Sequence, residues 1–78
     1  MDEGIIVGEF EKNASEMVRV RLTEFKGHEL IDIRGWYEDR ETGEMKPGKG
    51  ITLKRDLLPD LLELLHKAEE VMKSGNKQ

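Results

Sequence analysis

A strict two-residue alternation between Met17 and Phe25 constrains this chain more than any other feature. Successive side chains of an extended strand point to opposite faces. One face of this run therefore carries Val18, Val20 and Leu22, and the other Met17, Arg19, Arg21, Thr23 and Phe25. The aliphatic face calls for a core, which leaves two guanidinium groups and an aromatic ring on the open side of a sheet. Upstream, Ile5, Ile6, Val7 and Phe10 form a short β-branched run interrupted by Gly8, a first strand with a bulge at the glycine. Residues 12–15 read as the turn that follows it. Downstream, Lys26, Gly27 and His28 make a tight hairpin turn, and residues 29–37 a third strand. There Leu30, Asp32, Arg34 and Trp36 share one parity, and Ile31, Ile33, Gly35 and Tyr37 the other. Residues 39–43 form a polar hairpin loop, 46–50 a second loop stiffened by Pro47, and 51–53 a short last strand.

At Arg55 the period changes to that of a helix. Leu57, Leu58, Leu61, Leu62, Leu64, Leu65, Ala68, Val71 and Met72 cover nearly half its circumference. Pro59 is tolerated only in a first turn, so the helix begins between Lys54 and Leu58, and Gly75 marks its end. Residues 1–4 and 74–78 are expected to fray. The pattern is that of an α+β domain with strands first and one C-terminal helix, the order ββββα.

A chain of 78 residues with 36% apolar content fits a single domain over 1–78. A core of this size rarely supplies more than about 3–5 kcal/mol, and natural scaffolds add disulfides, a metal or a partner subunit. There is no cysteine, and His28 and His66 are the only imidazoles, so disulfides are excluded and no metal site is expected. Self-association remains. The leucine band is also wider than one sheet needs, which places Leu58, Leu61, Leu65 and Met72 against the same helix of a second subunit.

No apolar run approaches the ~20 residues of a membrane helix, and the first residues lack the positive region of a signal peptide, so the expectation is a cytoplasmic protein. Net charge is −4, but residues 1–16 account for all of it, with Lys12 against five carboxylates. Beyond residue 16 the charges are mixed and nearly cancel, and folding alone can sort them onto faces. An enzyme is not expected. There is no glycine-rich loop entering a helix, no metal-ligand spacing and no nucleophile paired with a base, and no cofactor is implied.

Four blocks carry a resemblance. Phe25-Lys26-Gly27, Leu30-Ile31-Asp32-Ile33-Arg34, Gly43-Glu44-Met45-Lys46-Pro47-Gly48 and Gly50-Ile51-Thr52-Leu53 resemble, in order and spacing, the single-stranded-DNA-binding domain of the transcriptional positive cofactor four family. The likeness is good over 17–58 and looser over the helix, and the chain resembles the short prokaryotic members. It implies a four-stranded antiparallel curved sheet followed by one helix, paired as a symmetric homodimer that binds single-stranded DNA with little sequence preference. Transcription, replication and repair are the processes it brings to mind, and single-stranded RNA stays open as an alternative ligand. By family position Phe25, Lys26, Arg34, Tyr37, Lys46 and Lys49 match residues that contact the strand.

The residues supply the chemistry such a site needs, cations to follow phosphates and rings on which bases stack. Arg19 and Arg21 come from the open face of the second strand, and Arg34 could serve a base and a phosphate with one planar fork. Alternation puts Trp36 on the Arg34 face, whereas the family's stacking tryptophan aligns with Tyr37; a bulge at Gly35 would shift the parity toward Tyr37. Three departures weaken the site. Thr23 stands where an arginine is usual, His28 where a lysine is usual, and Lys49 replaces a basic pair. His28 would make binding tighten below neutral pH. The competing reading is a protein-interaction module of the same fold whose nucleic-acid site is lost or weak.

Overall fold

The computed structural model describes residues 4–75. Four strands, β1 (Ile5–Asn13), β2 (Glu16–Phe25), β3 (His28–Glu38) and β4 (Met45–Lys54), form one antiparallel sheet in the order β1-β2-β3-β4. A 3-10 turn (Arg55–Leu57) leads into a single helix, α1 (Leu58–Lys73). The expected order of elements is found, and the parity of β2 with it.

The register divides the sheet into two faces. Arg19 pairs with Arg34, Arg21 with Asp32 and Met17 with Trp36, so these six share the polar face. Val18, Val20 and Leu22 pair with Gly35, Ile33 and Ile31 on the aliphatic face. Lys26, at φ 51, and Gly27, at φ 83, turn β2 into β3 as the hairpin reading required.

Both edge strands are longer than the sequence suggested, because each contains a bulge that absorbs an extra residue. In β1 the pairing shifts between Ile6 and Gly8, where the bulge was expected, and again between Glu11 and Asn13. Lys12 and Asn13, read as turn, therefore belong to the strand. In β4 the residues taken for a loop, 46–50, are strand as well. Pro47 is accommodated because β4 pairs only with β3 and its outer edge asks for no amide hydrogen. The bulge expected at Gly35 lies opposite: Arg34 pairs with Gly50 and Trp36 with Pro47, so the extra residue is in β4 and the parity of β3 is unbroken. Gly50 is the close approach in this pairing. A Cβ built there would run into Arg34 Cβ and the Ile33 carbonyl oxygen.

The helix departs most from expectation. It was expected to cover the sheet with part of its apolar band, yet none of its residues is buried. Arg55 fixes where it leaves. Its guanidinium donates to the Leu30 and Thr23 carbonyl oxygens, both at 3.0 Å, which ties the 3-10 turn to the hairpin end of β2 and β3. Pro59 then sits in the first turn of α1, and Gly75, at φ 80, follows its end. Ser74 caps the helix, its amide donating to the Glu70 carbonyl at 2.9 Å; of the residues expected to fray, 1–3 and 76–78 lie outside the described residues.

The result is a flat molecule of 43 × 35 × 18 Å. Its radius of gyration, 15.1 Å, exceeds the roughly 11.5 Å of a compact chain of this length. Among the described residues Ile31, 6% exposed, is the one buried apolar side chain, while thirteen large apolar side chains are exposed.

Candidate nucleic-acid interface

The polar face is built around Asp32, which is 2% exposed. Arg34 donates from Nε to both Asp32 oxygens at 3.0 Å and from Nη2 to Oδ1 at 2.7 Å. The Thr52 hydroxyl donates to Oδ1 at 2.8 Å, and Arg21 Nη2 approaches Oδ2 at 3.4 Å. Burial alone would raise the Asp32 carboxyl. The hydrogen bonds from Arg34 and Thr52, with the charges of Arg34 and Arg21, outweigh it and hold the group below the usual carboxylate range. The Asp32 hydrogen bond in turn raises Arg34 above its ordinary value.

This changes the reading of Arg34. Its Nη1 donates to the Gly48 carbonyl at 2.8 Å and its Nη2 also reaches Thr52 Oγ1 at 3.2 Å, so the fork expected to meet a strand is spent on β3 and β4. Arg19 is held in the same manner, with Nε donating to Glu9 Oε1 at 2.8 Å and the guanidinium 4.4 Å from the Trp36 ring centroid. Arg21 lies over the same ring at 5.3 Å. Trp36 thus carries two arginines over its ring, and its indole nitrogen is buried. Side-chain exposure of Arg19, Arg21 and Arg34 is 14%, 19% and 24%.

Tyr37 is the contrasting case. It is 42% exposed on the aliphatic face, between Glu16 on β2 and Lys46 on β4 as its direct cross-strand partners. Its ring lines a cleft of about 340 Å³ together with Lys12, Glu16, Val18, Gly35, Trp36, Gly48 and Lys49. Lys12 and Glu16 form an ion pair at 3.3 Å, and Lys46 meets Asp39 at 2.8 Å. The Lys46 ammonium and backbone amides in the loop lower the Asp39 carboxyl.

Phe25 and Lys26 form a third patch. Phe25 is 59% exposed, with Lys26 Nζ 5.3 Å from its ring centroid, and His28 is its cross-strand partner. From His28 to Tyr37 along β3 is roughly 30 Å at the usual strand rise, and the two rings lie on opposite faces. The residues expected to contact a strand therefore fall into three groups: Arg19, Arg21, Arg34 and Trp36 lie together on the polar face, Tyr37, Lys46 and Lys49 gather at one end, and Phe25, Lys26 and His28 at the other. Sequence reasoning missed Lys12, Glu16 and the role of Asp32. Only the register of β1 against β2 and of β2 against β3 brings the first two to Tyr37, and one signal was legible for the third, an aspartate at the same parity as two arginines.

Among the described residues no group of three or more His, Cys, Asp or Glu side chains is placed to hold a metal ion. No helix there is long and apolar enough to cross a membrane.

Known proteins share this architecture. Residues 12–64 match the family described as Transcriptional Coactivator p15 (PC4). The RNA polymerase II transcriptional coactivator SUB1 of Saccharomyces cerevisiae is 47% identical over 62 residues, which are 77% of this chain and 21% of the yeast protein. The chain thus spans about a fifth of that relative's length. A PC4 homolog from Burkholderia pseudomallei K96243 superposes with a TM-score of 0.79 in its tetragonal crystal form, at 25% identity, over 86% of this chain and 98% of that one. The bacteriophage T5 homolog of the eukaryotic coactivator PC4, implicated in recombination-dependent DNA replication, gives a TM-score of 0.59 at 26% identity over 94% of this chain and 80% of its own.

Proposed function

This chain belongs to the transcriptional coactivator p15 (PC4) family, and from that premise we propose that it is a cytoplasmic homodimer that binds single-stranded DNA with little dependence on sequence and acts by binding alone. The observation that carries the reading is the cleft at Tyr37, where an exposed ring stands among Lys12, Lys46 and Lys49. A ring offers every base a stacking surface worth about 1–3 kcal/mol, and cations beside it meet the phosphates on either side. Phe25 with Lys26 and His28 supplies a second stacking point at the far end of the sheet. Arg19, Arg21, Arg34 and Trp36 have a different part here, holding the strands in register so that the two patches stay apart at a fixed spacing.

What supports the dimer is the apolar surface that one chain leaves open. Leu57 of the 3-10 turn and Leu62, Leu64, Leu65, Val71 and Met72 of α1 are 44–75% exposed, and Leu58 and Leu61 are half-covered. A single buried apolar side chain does not outweigh the entropy of ordering a chain of this length, whereas a second copy laid against α1 would complete a core. The processes in which the chain would take part are those of its relatives, transcription for the yeast coactivator and recombination-dependent replication for the phage protein.

The pairing of Arg19 with Glu9 and of Arg21 and Arg34 with Asp32 favours the rival reading, a protein-interaction module of the same fold. Anisotropy of a labelled oligo-dT, repeated across salt concentrations, separates the two. Binding through several phosphates requires log K to fall with log salt by about 0.7 per contact. No binding at about 50 mM salt would overturn the proposal, and sedimentation of Leu65→Asp as the same species as the unaltered chain would overturn the dimer built on α1.

A further inference from the structure

The cleft at Tyr37 contains one group that a track for phosphates does not need, the carboxylate of Glu16. Glu16 is the direct cross-strand partner of Tyr37, so their side chains stand next to each other on one face, with Cβ atoms about 4.5–5.5 Å apart in such pairs. Its Oε1 accepts from Asn13 Nδ2 at 3.2 Å and forms an ion pair with the Lys12 ammonium at 3.3 Å. Among the described residues nothing donates to Oε2. A carboxylate beside a polyanion costs affinity by repulsion, unless it makes a contact of its own with the base that lies on the ring.

The bases differ in what they offer a carboxylate. Guanine carries two adjacent donors on its Watson–Crick edge, N1–H and the N2 amino group, which two carboxylate oxygens can accept together. Thymine has one N–H set between two carbonyl oxygens that repel the carboxylate. Adenine and cytosine have an amino group next to an unprotonated ring nitrogen, whose lone pair faces the second oxygen. Guanine's other edge presents O6 and N7, acceptors suited to a lysine. Lys46 is the partner of Tyr37 on the side away from Glu16, and Lys49 lines the cleft. Donors toward Glu16 and acceptors toward the lysines is the order of groups that guanine alone among the four bases supplies.

The space agrees with one base. The cleft's volume of about 340 Å³ lies at the low end of the roughly 300–1,000 Å³ of small-molecule sites. Its floor is made by glycines: a Cβ on Gly48 would come 3.3 Å from the Gly35 carbonyl oxygen and 3.6 Å from Tyr37 Cδ1, against the ring a base would use. We propose that the Tyr37 cleft is a guanine-preferring position within an otherwise sequence-tolerant single-strand site, with Glu16 as the residue that reads the base. This rests on the single-strand reading above, and it adds a preference to it.

The test is a competition against a labelled oligo-dT by short strands identical except for one central base, dG, dA, dC or dT, with the unaltered protein and with Glu16→Gln. A bidentate contact of this kind discriminates by about tenfold at a partly exposed site, so the dG strand should compete about tenfold better than the dT strand. In Glu16→Gln that ratio should fall to about twofold or less, since the amide offers one acceptor in place of two. Equal competition by all four strands would overturn the guanine position and leave the single-strand proposal standing. A dG preference that survives Glu16→Gln would overturn the role of Glu16. Absence of binding to every strand would overturn both proposals, and is told apart from the first result because the labelled oligo-dT would itself show no anisotropy change.

Discussion

The two faces of this sheet use their charges in opposite ways. On the polar face Arg19, Arg21 and Arg34 meet Glu9, Asp32 and the ring of Trp36 within the same chain, and their side chains are 14–24% exposed. On the aliphatic face Lys46 pairs with Asp39 and Lys12 with Glu16, yet Lys46 stays 44% exposed, and Tyr37 stands open in a cleft that Lys12 and Lys49 also line. Arginine closes a planar fork on a carboxylate and stays there, whereas lysine is a mobile point charge on a long stem. The guanidinium groups of the polar face are therefore the more closed within the chain, and among the described residues the free cation beside Tyr37 on the other face is the exposed Lys49.

Removing the centre of the polar face is the strongest way to break this contrast. Asp32→Ala leaves Arg21 and Arg34 without their shared carboxylate. We expect a loss of about 3 kcal/mol in urea unfolding at pH 7, the low end of the range for breaking a buried pair, because both arginines keep some access to water. The effect has a pH signature. The Asp32 carboxyl is lowered in the folded state, so its stabilisation is complete above the ordinary value of about 3.9 and is lost as pH falls through the lower folded value. The gap between variant and unaltered protein should narrow progressively below about pH 4. A variant with unchanged stability at pH 7 would show that the network is incidental.

Gly50→Ala attacks the same face from β4. The added methyl would meet Arg34 Cβ and the Ile33 carbonyl oxygen, and neither belongs to the flexible end of a side chain. A cost of about 2 kcal/mol is expected, as for overpacking a fitted position. Gly8→Ala, where a Cβ would have nothing within 4 Å, is the control and should change stability far less.

These positions also show what was legible beforehand. Alternation gave the parity of β2, because a strand's period of two is written in its side chains. The strand lengths were not legible, since Gly48, Pro47 and Asn13 are turn formers by local chemistry and sit in strands only because bulges on edge strands absorb them. The open placement of α1 was hidden for a similar reason. An apolar half-cylinder states that something covers it, not which surface does. For the candidate site, residue types were readable and availability was not. Arg34 looked like the best phosphate ligand until its register against Thr52 and Gly48 put it in a closed network, and Glu16 looked like one more acid until β2 and β3 set it beside Tyr37.

Tyr37→Ala and Trp36→Leu compare the two rings directly. Loss of a stacking surface costs about 1–3 kcal/mol, so Tyr37→Ala should weaken oligo-dT binding by about tenfold with unfolding little changed. Trp36 packs under Arg19 and Arg21, and its replacement should lower stability and leave affinity nearly as it was. Equal losses of affinity in the two variants would mean that both rings reach the strand and that the faces are not divided as described.

The smallest effect is the most discriminating, because it counts phosphates. Each phosphate neutralised on a single strand contributes about 0.7 to the slope of log K against log salt. Lys49→Gln removes an exposed cation from the cleft at Tyr37, and the slope should fall by about 0.7 while affinity at low salt drops only a few-fold. Arg19→Gln removes a cation already matched by Glu9 at 2.8 Å, so the slope should stay the same. If the two variants flattened the slope alike, Arg19 would have to leave Glu9 when a strand arrives, and the polar face would be a reserve of charge released by binding instead of a closed support.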